Sequence, residues 1–97
     1  LPICKYPMEV GSIVISQAGR DQGRWFLVVQ EVDADFVMIA NGKLRKLDHL
    51  KKKRRKHLKP TGLVVEELRA RISSGNPVED HEVRSWLKKE EEKLVQV

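Results

Sequence analysis

Ten lysines and arginines fall between residues 43 and 59: Lys43, Arg45, Lys46, Lys51, Lys52, Lys53, Arg54, Arg55, Lys56 and Lys59, with Asp48 the one acid among them. The segment carries +9, so the remainder of a chain of formal charge +5 carries −4. Charge spread evenly serves solubility, whereas charge gathered into so short a stretch makes a site for a polyanion. Consecutive cations such as 51–56 can follow a phosphate backbone without reading its sequence, releasing condensed counterions as they neutralise it. A second group is the polar stretch Gly19-Arg20-Asp21-Gln22-Gly23-Arg24. Its arginines offer planar, multidentate donors to phosphates or base edges. Its glycines let backbone N–H groups come close to an anion. His57 adds a ring that can stack on an exposed base or gain charge on protonation.

Other chemistries find little support in the residues. His49, His57, His81 and Cys4 show no metal-ligand spacing. The sequence contains no Walker loop, dinucleotide fingerprint or nucleophile motif. The acids Glu66-Glu67 and 90–92 lie on expected exposed helix faces and read as solvation. The expectation is therefore a protein without catalysis, cofactor, metal or small-molecule substrate. The longest uncharged apolar stretch, 25–29, is far too short to span a bilayer, and 1–7 is too short for a signal peptide. Leu50 and Leu58 merely flank the charges, which leaves no amphipathic face for a membrane surface. One cysteine fits a reducing compartment, so a cytoplasmic location is expected. Met8, directly before the first strand pattern, is a candidate native start.

The elements that must position these residues divide in two. Residues 10–16, 25–32 and 36–40 are β-branched or aromatic runs and read as strands. Between the first two lies the 17–24 loop, and between the next two the tight turn Asp33-Ala34-Asp35. Asn41-Gly42 signals a type I′ hairpin turn leading into a fourth strand at 43–47, where basic and apolar residues alternate. Four short strands with tight turns and no helix between them indicate a small antiparallel barrel over 8–50. Residues 51–62 then read as a basic linker, punctuated by Pro60-Thr61-Gly62, and 63–97 as a helical tail. The first helix, 63–73, carries Val64, Leu68 and Ile72 at helical spacing, with Val65 beside them, and Ser74-Gly75 stops it. The second starts at Asn76-Pro77-Val78-Glu79 in capping-box style and runs to about residue 93 with Val83, Trp86 and Leu87 as its stripe. Trp86 reads as packing. Of Trp25 and Phe26, adjacent on a strand, one faces the core and one faces out.

Residues 10–32, VGSIVISQAGRDQGRWFLVVQEV, resemble the KOW motif of ribosomal proteins and transcription elongation factors: a strand, a polar loop with a key glycine at Gly23, and a second apolar strand. A second glycine common in that motif is replaced here by Trp25 and Phe26. The Gly-Arg-Asp-x-Gly-Arg loop, the Leu-Arg-Lys-Leu stretch at 44–47 and the Lys-rich follower together resemble a bacterial family of small KOW domain-containing RNA-binding proteins. That family is similar to the archaeal and eukaryotic large-subunit ribosomal protein L-fourteen-e. The resemblance implies a mainly β fold, an SH3-like KOW barrel with an α tail, and RNA, ribosomal RNA in particular, as partner, with ribosomal proteins nearby. The expected RNA-binding residues are Gly19, Arg20, Gln22, Gly23, Arg24, Lys43, Arg45, Lys46, 51–56, His57 and Lys59. The alternative the sequence leaves open is a KOW module that docks protein within a transcription or translation complex.

Overall fold

The three β-branched and aromatic runs form strands β1 (Ser12–Ser16), β2 (Trp25–Glu31) and β3 (Phe36–Ala40). Such side chains fit a pleated surface that is buried on at least one side. The computed structural model describes residues 8–95; the segment 1–7, with Cys4 and the expected lack of a signal peptide, lies outside the described residues. The turn at Asp33 is held by its own carboxylate, whose Oδ1 accepts the backbone N–H groups of Asp35 and Phe36, each at 2.8 Å.

The fourth strand is not 43–47. That stretch is a series of bends and turns organised by Asn41, whose Oδ1 accepts the N–H groups of Lys43 and Arg45 at 3.0 Å each. The N–H groups of Asn41 and Gly42 in turn reach the Arg45 carbonyl, at 2.8 and 3.1 Å. Gly42 takes a positive φ of 76° and Asn41 does not, so the type I′ turn is absent. Strand β4 is Lys51–Arg54, the basic run itself, paired antiparallel with β3. A one-turn 3-10 helix, Arg55–His57, carries the chain into β5, Leu58–Val64. Residues 51–62, expected as a linker, are thus built into the sheet. Pro60 and Gly62 can sit inside β5 because it is an edge strand paired with β1 alone, and its register shifts opposite Ser12 to Val14.

The strand order is β4-β3-β2-β1-β5, with every neighbouring pair antiparallel. Laid flat, such a sheet would hold its edge strands about 19 Å apart, at about 4.8 Å per strand. A 3-10 turn of three residues spans only about 6 Å. The sheet must therefore curl until β4 and β5 approach one another, giving a small barrel-like fold.

Both sides of this sheet are apolar, which explains the unbroken WFLVV of β2. Inside the curl lie Met8, Val14, Phe26, Val28, Val37, Ile39 and Leu58. On the outer side Ile13 and Leu27 meet Val65, Leu68, Val83 and Leu87 from two helices, α1 (Glu66–Ser74) and α2 (Asp80–Val95). Phe26 and Leu27, both fully buried, each contribute about 1.5–3 kcal/mol on opposite sides of one strand. Trp25, Leu63, Val78 and Trp86 pack around the outer cluster.

The tail differs from expectation in its bounds and its buried face. Leu63 and Val64 end β5, and α1 begins at Glu66, with Glu67 beside it in the first turn. Val65 and Leu68 are the buried pair, whereas Val64 and Ile72 of the expected row stand 40% and 39% exposed. Asn76 does not start α2. Its N–H bonds to the Arg71 carbonyl while that of Gly75 bonds to Ile72, closing α1 in a Schellman motif. Half of a capping box lies three residues later: the Glu79 N–H donates to Glu82 Oε1 at 3.3 Å, while the Glu82 N–H donates to the Glu79 backbone carbonyl at 3.0 Å and not to its side chain.

Candidate nucleic-acid interface

The β1–β2 loop is built to turn its acid in and its bases out. Gly19 opens a single 3-10 turn ending at Asp21, and Gly23 brings the chain back with its N–H on the Ser16 carbonyl at 2.8 Å. Gly23 has φ of 85°, yet a Cβ there would meet nothing within 4 Å. The position therefore demands glycine for backbone conformation, not for space. Asp21 is buried and accepts Arg45 Nη2 at 3.3 Å, tying the loop to the β3–β4 connection. Arg45 Nε is buried with no hydrogen-bond partner among the described residues, while the side chain as a whole stays about a third exposed, so this guanidinium is only partly drawn inward. Arg20, Gln22 and Arg24 are left exposed, as are Lys43 and Lys46 on the neighbouring connection.

In β4 the pleat divides the basic run between two faces. Cross-strand partners share a face, and the pairs are Lys51 with Ile39, Lys52 with Met38, Lys53 with Val37 and Arg54 with Phe36. Val37 and Ile39 are fully buried inside the curl, so Lys51 and Lys53 lie on that side, half-buried, with Lys53 Nζ donating to the Ala18 carbonyl at 3.1 Å. Lys52 and Arg54 stand exposed on the outer side, their charges 4.6 and 5.1 Å from the centre of the Phe36 ring. The ring's negative face fixes where these two cations sit.

Arg55 does not join them. It is only 3% exposed, with Nη2 on Glu31 at 3.1 Å, Nε on the Asp33 carbonyl at 3.0 Å and its own N–H on the Asp35 carbonyl at 2.8 Å. It pins the Asp33 turn to the corner between β4 and β5. Beyond the corner Lys56 and Lys59 are exposed and His57 is half-buried, its carbonyl accepting the Gln17 N–H at 2.8 Å.

The residues singled out by sequence thus fall into three groups: the loop end (Arg20, Gln22, Arg24, Lys43, Lys46), the outer face of β4 (Lys52, Arg54), and the corner (Lys56, His57, Lys59). Arg45, Lys51, Lys53 and Arg55 are drawn wholly or partly inward. Sequence reasoning missed Phe36 as the platform under two cations, because the pairing partner of β3 was misplaced. It also missed Arg84 and Lys88 of α2. With Arg24, Trp25 and Lys43 these line a groove of about 750 Å³ between the loop end and the helix. Their spacing four apart, with His81 three before Arg84, was a legible basic row on one helix face.

Three carboxylates are held below their ordinary range, Asp48 among them through its side-chain hydrogen bond with the neighbouring His49. Asp33 is lowered first by the backbone N–H of Asp35 and then by that of Phe36. Glu82 is lowered chiefly by its hydrogen bond from Arg71, at 2.7 Å, an ion pair joining the two helices.

No protein-family model matches this sequence. Among the described residues no cluster of three His, Cys, Asp or Glu side chains is placed to hold a metal ion. None of the helices there is long and apolar enough to cross a membrane.

Proposed function

We propose that this protein binds RNA through an SH3-like barrel of the KOW type and acts on ribosomal particles in the cytoplasm, with no catalysis and no cofactor. Its partners in this reading are ribosomal RNA and neighbouring ribosomal proteins. The KOW resemblance of residues 10–32 and the five short antiparallel strands closed at one corner support the barrel. The observation that carries the RNA reading is the disposition of charge at the loop end. Asp21, the loop's one acid, is buried against Arg45, which ties the loop to the β3–β4 connection and leaves Arg20 and Arg24 of the one and Lys43 and Lys46 of the other exposed, with Arg24 and Lys43 on one groove. Such an array suits a phosphate backbone and a shaped groove rather than a particular base.

Two experiments test the proposal. Reversing Lys52 and Arg54 to Glu changes the local charge by four units on exposed side chains and should weaken RNA binding about a hundredfold near physiological salt, with a shallower salt dependence. Unchanged affinity in a variant that keeps its circular dichroism spectrum would remove the outer face of β4 from the interface, and a wild-type protein that binds no RNA at low salt would sink the RNA reading. Sedimentation of lysate through sucrose gradients at low and high salt tests the ribosomal part. Co-migration with a large-subunit particle, lost as salt rises, is expected; a protein that stays at the top of the low-salt gradient is not ribosome-bound.

A further inference from the structure

The groove between the loop end and α2 has a composition that phosphate binding alone does not require. Trp25, half-buried with one side packed on the outer core, forms its floor together with Leu87. Arg24, Lys43 and Lys88 are exposed around it, and none of the three side chains is engaged in an ion pair among the described residues. Glu91 is the one acid in the lining.

The walls are fixed. Asp80 Oδ1 accepts the Leu47 N–H at 2.8 Å, and Arg84 Nη1 donates to the Gly42 carbonyl at 2.6 Å. A Cβ at Gly42 would lie 2.5 Å from the Asp80 carbonyl oxygen, so the helix is seated directly on the β3–β4 connection. A concavity of about 750 Å³ with an aromatic floor and a cationic rim is the size of a small-ligand pocket. It is too confined for a duplex, whose phosphates would ask for an open ridge of charge.

Resting on the RNA-binding reading above, we infer that this groove receives one unstacked nucleotide of the bound RNA, with the base against Trp25 and Leu87 and the flanking phosphates among Arg24, Lys43 and Lys88. Bases splayed from a loop or bulge are the usual currency of RNA recognition by aromatic side chains. The α tail then becomes part of the binding surface and gives preference for unpaired sites. The exposed face of β4 supplies affinity for any phosphate backbone.

The test compares two labelled RNA hairpins that differ only by a single bulged adenosine, with affinity read by fluorescence anisotropy. Wild-type protein should bind the bulged hairpin at least about tenfold more tightly, as base stacking on an aromatic allows. Lys88→Glu, on an exposed helix position, should reduce that preference to within about twofold while paired RNA still binds. Trp25→Leu should do the same. Because it also touches the outer core, Trp86→Phe provides a second readout in which Trp25 is the sole indole, quenched by the bulged hairpin and not by the paired one. Equal binding of both hairpins by the wild type would overturn the groove assignment while leaving RNA binding intact. Binding of neither would remove both readings. Quenching by free adenosine monophosphate without any bulge preference would assign the groove to a free nucleotide and overturn the inference.

Discussion

The β1–β2 loop and strand β4 are the two most conspicuous basic features of the sequence, and they present charge in opposite ways. In the loop, glycine-fixed turns fan Arg20, Gln22 and Arg24 outward and bury the intervening Asp21. In β4 the pleat sends alternate lysines to opposite sides of a curled sheet, and the next residue, Arg55, leaves solvent altogether. A run of six cations thus yields two, Lys52 and Arg54, on one outer strand face with Lys56 past the corner. A stretch of five residues with two arginines, 20–24, presents both. What matters for a polyanion is the backbone geometry under the charges, and a count along the sequence overstates a strand and understates a turn.

The sharpest way to break this comparison uses neighbours. Arg55→Ala removes hydrogen bonds to Glu31 and to the Asp33 carbonyl from a nearly buried side chain, and should cost about 2–3 kcal/mol of stability by urea denaturation. Arg54→Ala, one residue away and exposed, should change stability by less than about 0.5 kcal/mol while weakening RNA binding. If the two variants behave alike in both measurements, the pleat has not divided the run as described.

The same contrast explains what the sequence disclosed. β3 was legible to the residue, and β1 and β2 to within a residue or two at their ends, since their β-branched runs have little alternative to burial. β4 and β5 were hidden. Lys-Lys-Lys-Arg has no apolar face of its own, and β5 contains Pro60 and Gly62, which read as punctuation. Both exist because the edges of the sheet have partners waiting in β3 and β1. Leu44-Arg45-Lys46-Leu47 looked like a strand by alternation, but Asn41 captures its backbone first. The loop end was readable as a cluster. The basic row of α2 was legible as a row, but not its place beside the loop, because its docking on Gly42 is a tertiary event that no local pattern announces.

Two smaller effects sharpen the loop side. Gly23→Ala forces a residue with a Cβ into φ near 85° without any clash, and should destabilise by about 1–2 kcal/mol while leaving the strands intact. A loss above about 3 kcal/mol in thermal or urea unfolding would mean the position is packed rather than merely turned. Replacing Arg20 and Arg24 by Ala should lower affinity about tenfold for structured RNAs and less for a single-stranded homopolymer, since planar donors reward a shaped target. An equal loss on both would place these arginines with β4 as simple phosphate neutralisers.

The smallest effect probes the turn that holds Arg55 in place. Asp33 accepts two backbone N–H bonds as a carboxylate, and its carboxyl is held below the ordinary value of 3.8 by the Asp35 N–H first, then that of Phe36, with Lys52 and Arg55 adding weak attraction. A carboxyl depressed in the folded state contributes stability that is present above its unfolded pKa and lost as pH falls through the lower folded value. Asp33→Asn keeps an oxygen able to accept those bonds but carries no charge. Wild type and variant should therefore differ slightly at neutral pH and converge as pH falls below the ordinary carboxylate range and through the lower folded value. A gap that stays constant across that range would show that the charge on Asp33 contributes nothing, and that the turn beneath Arg55 rests on hydrogen-bond geometry alone.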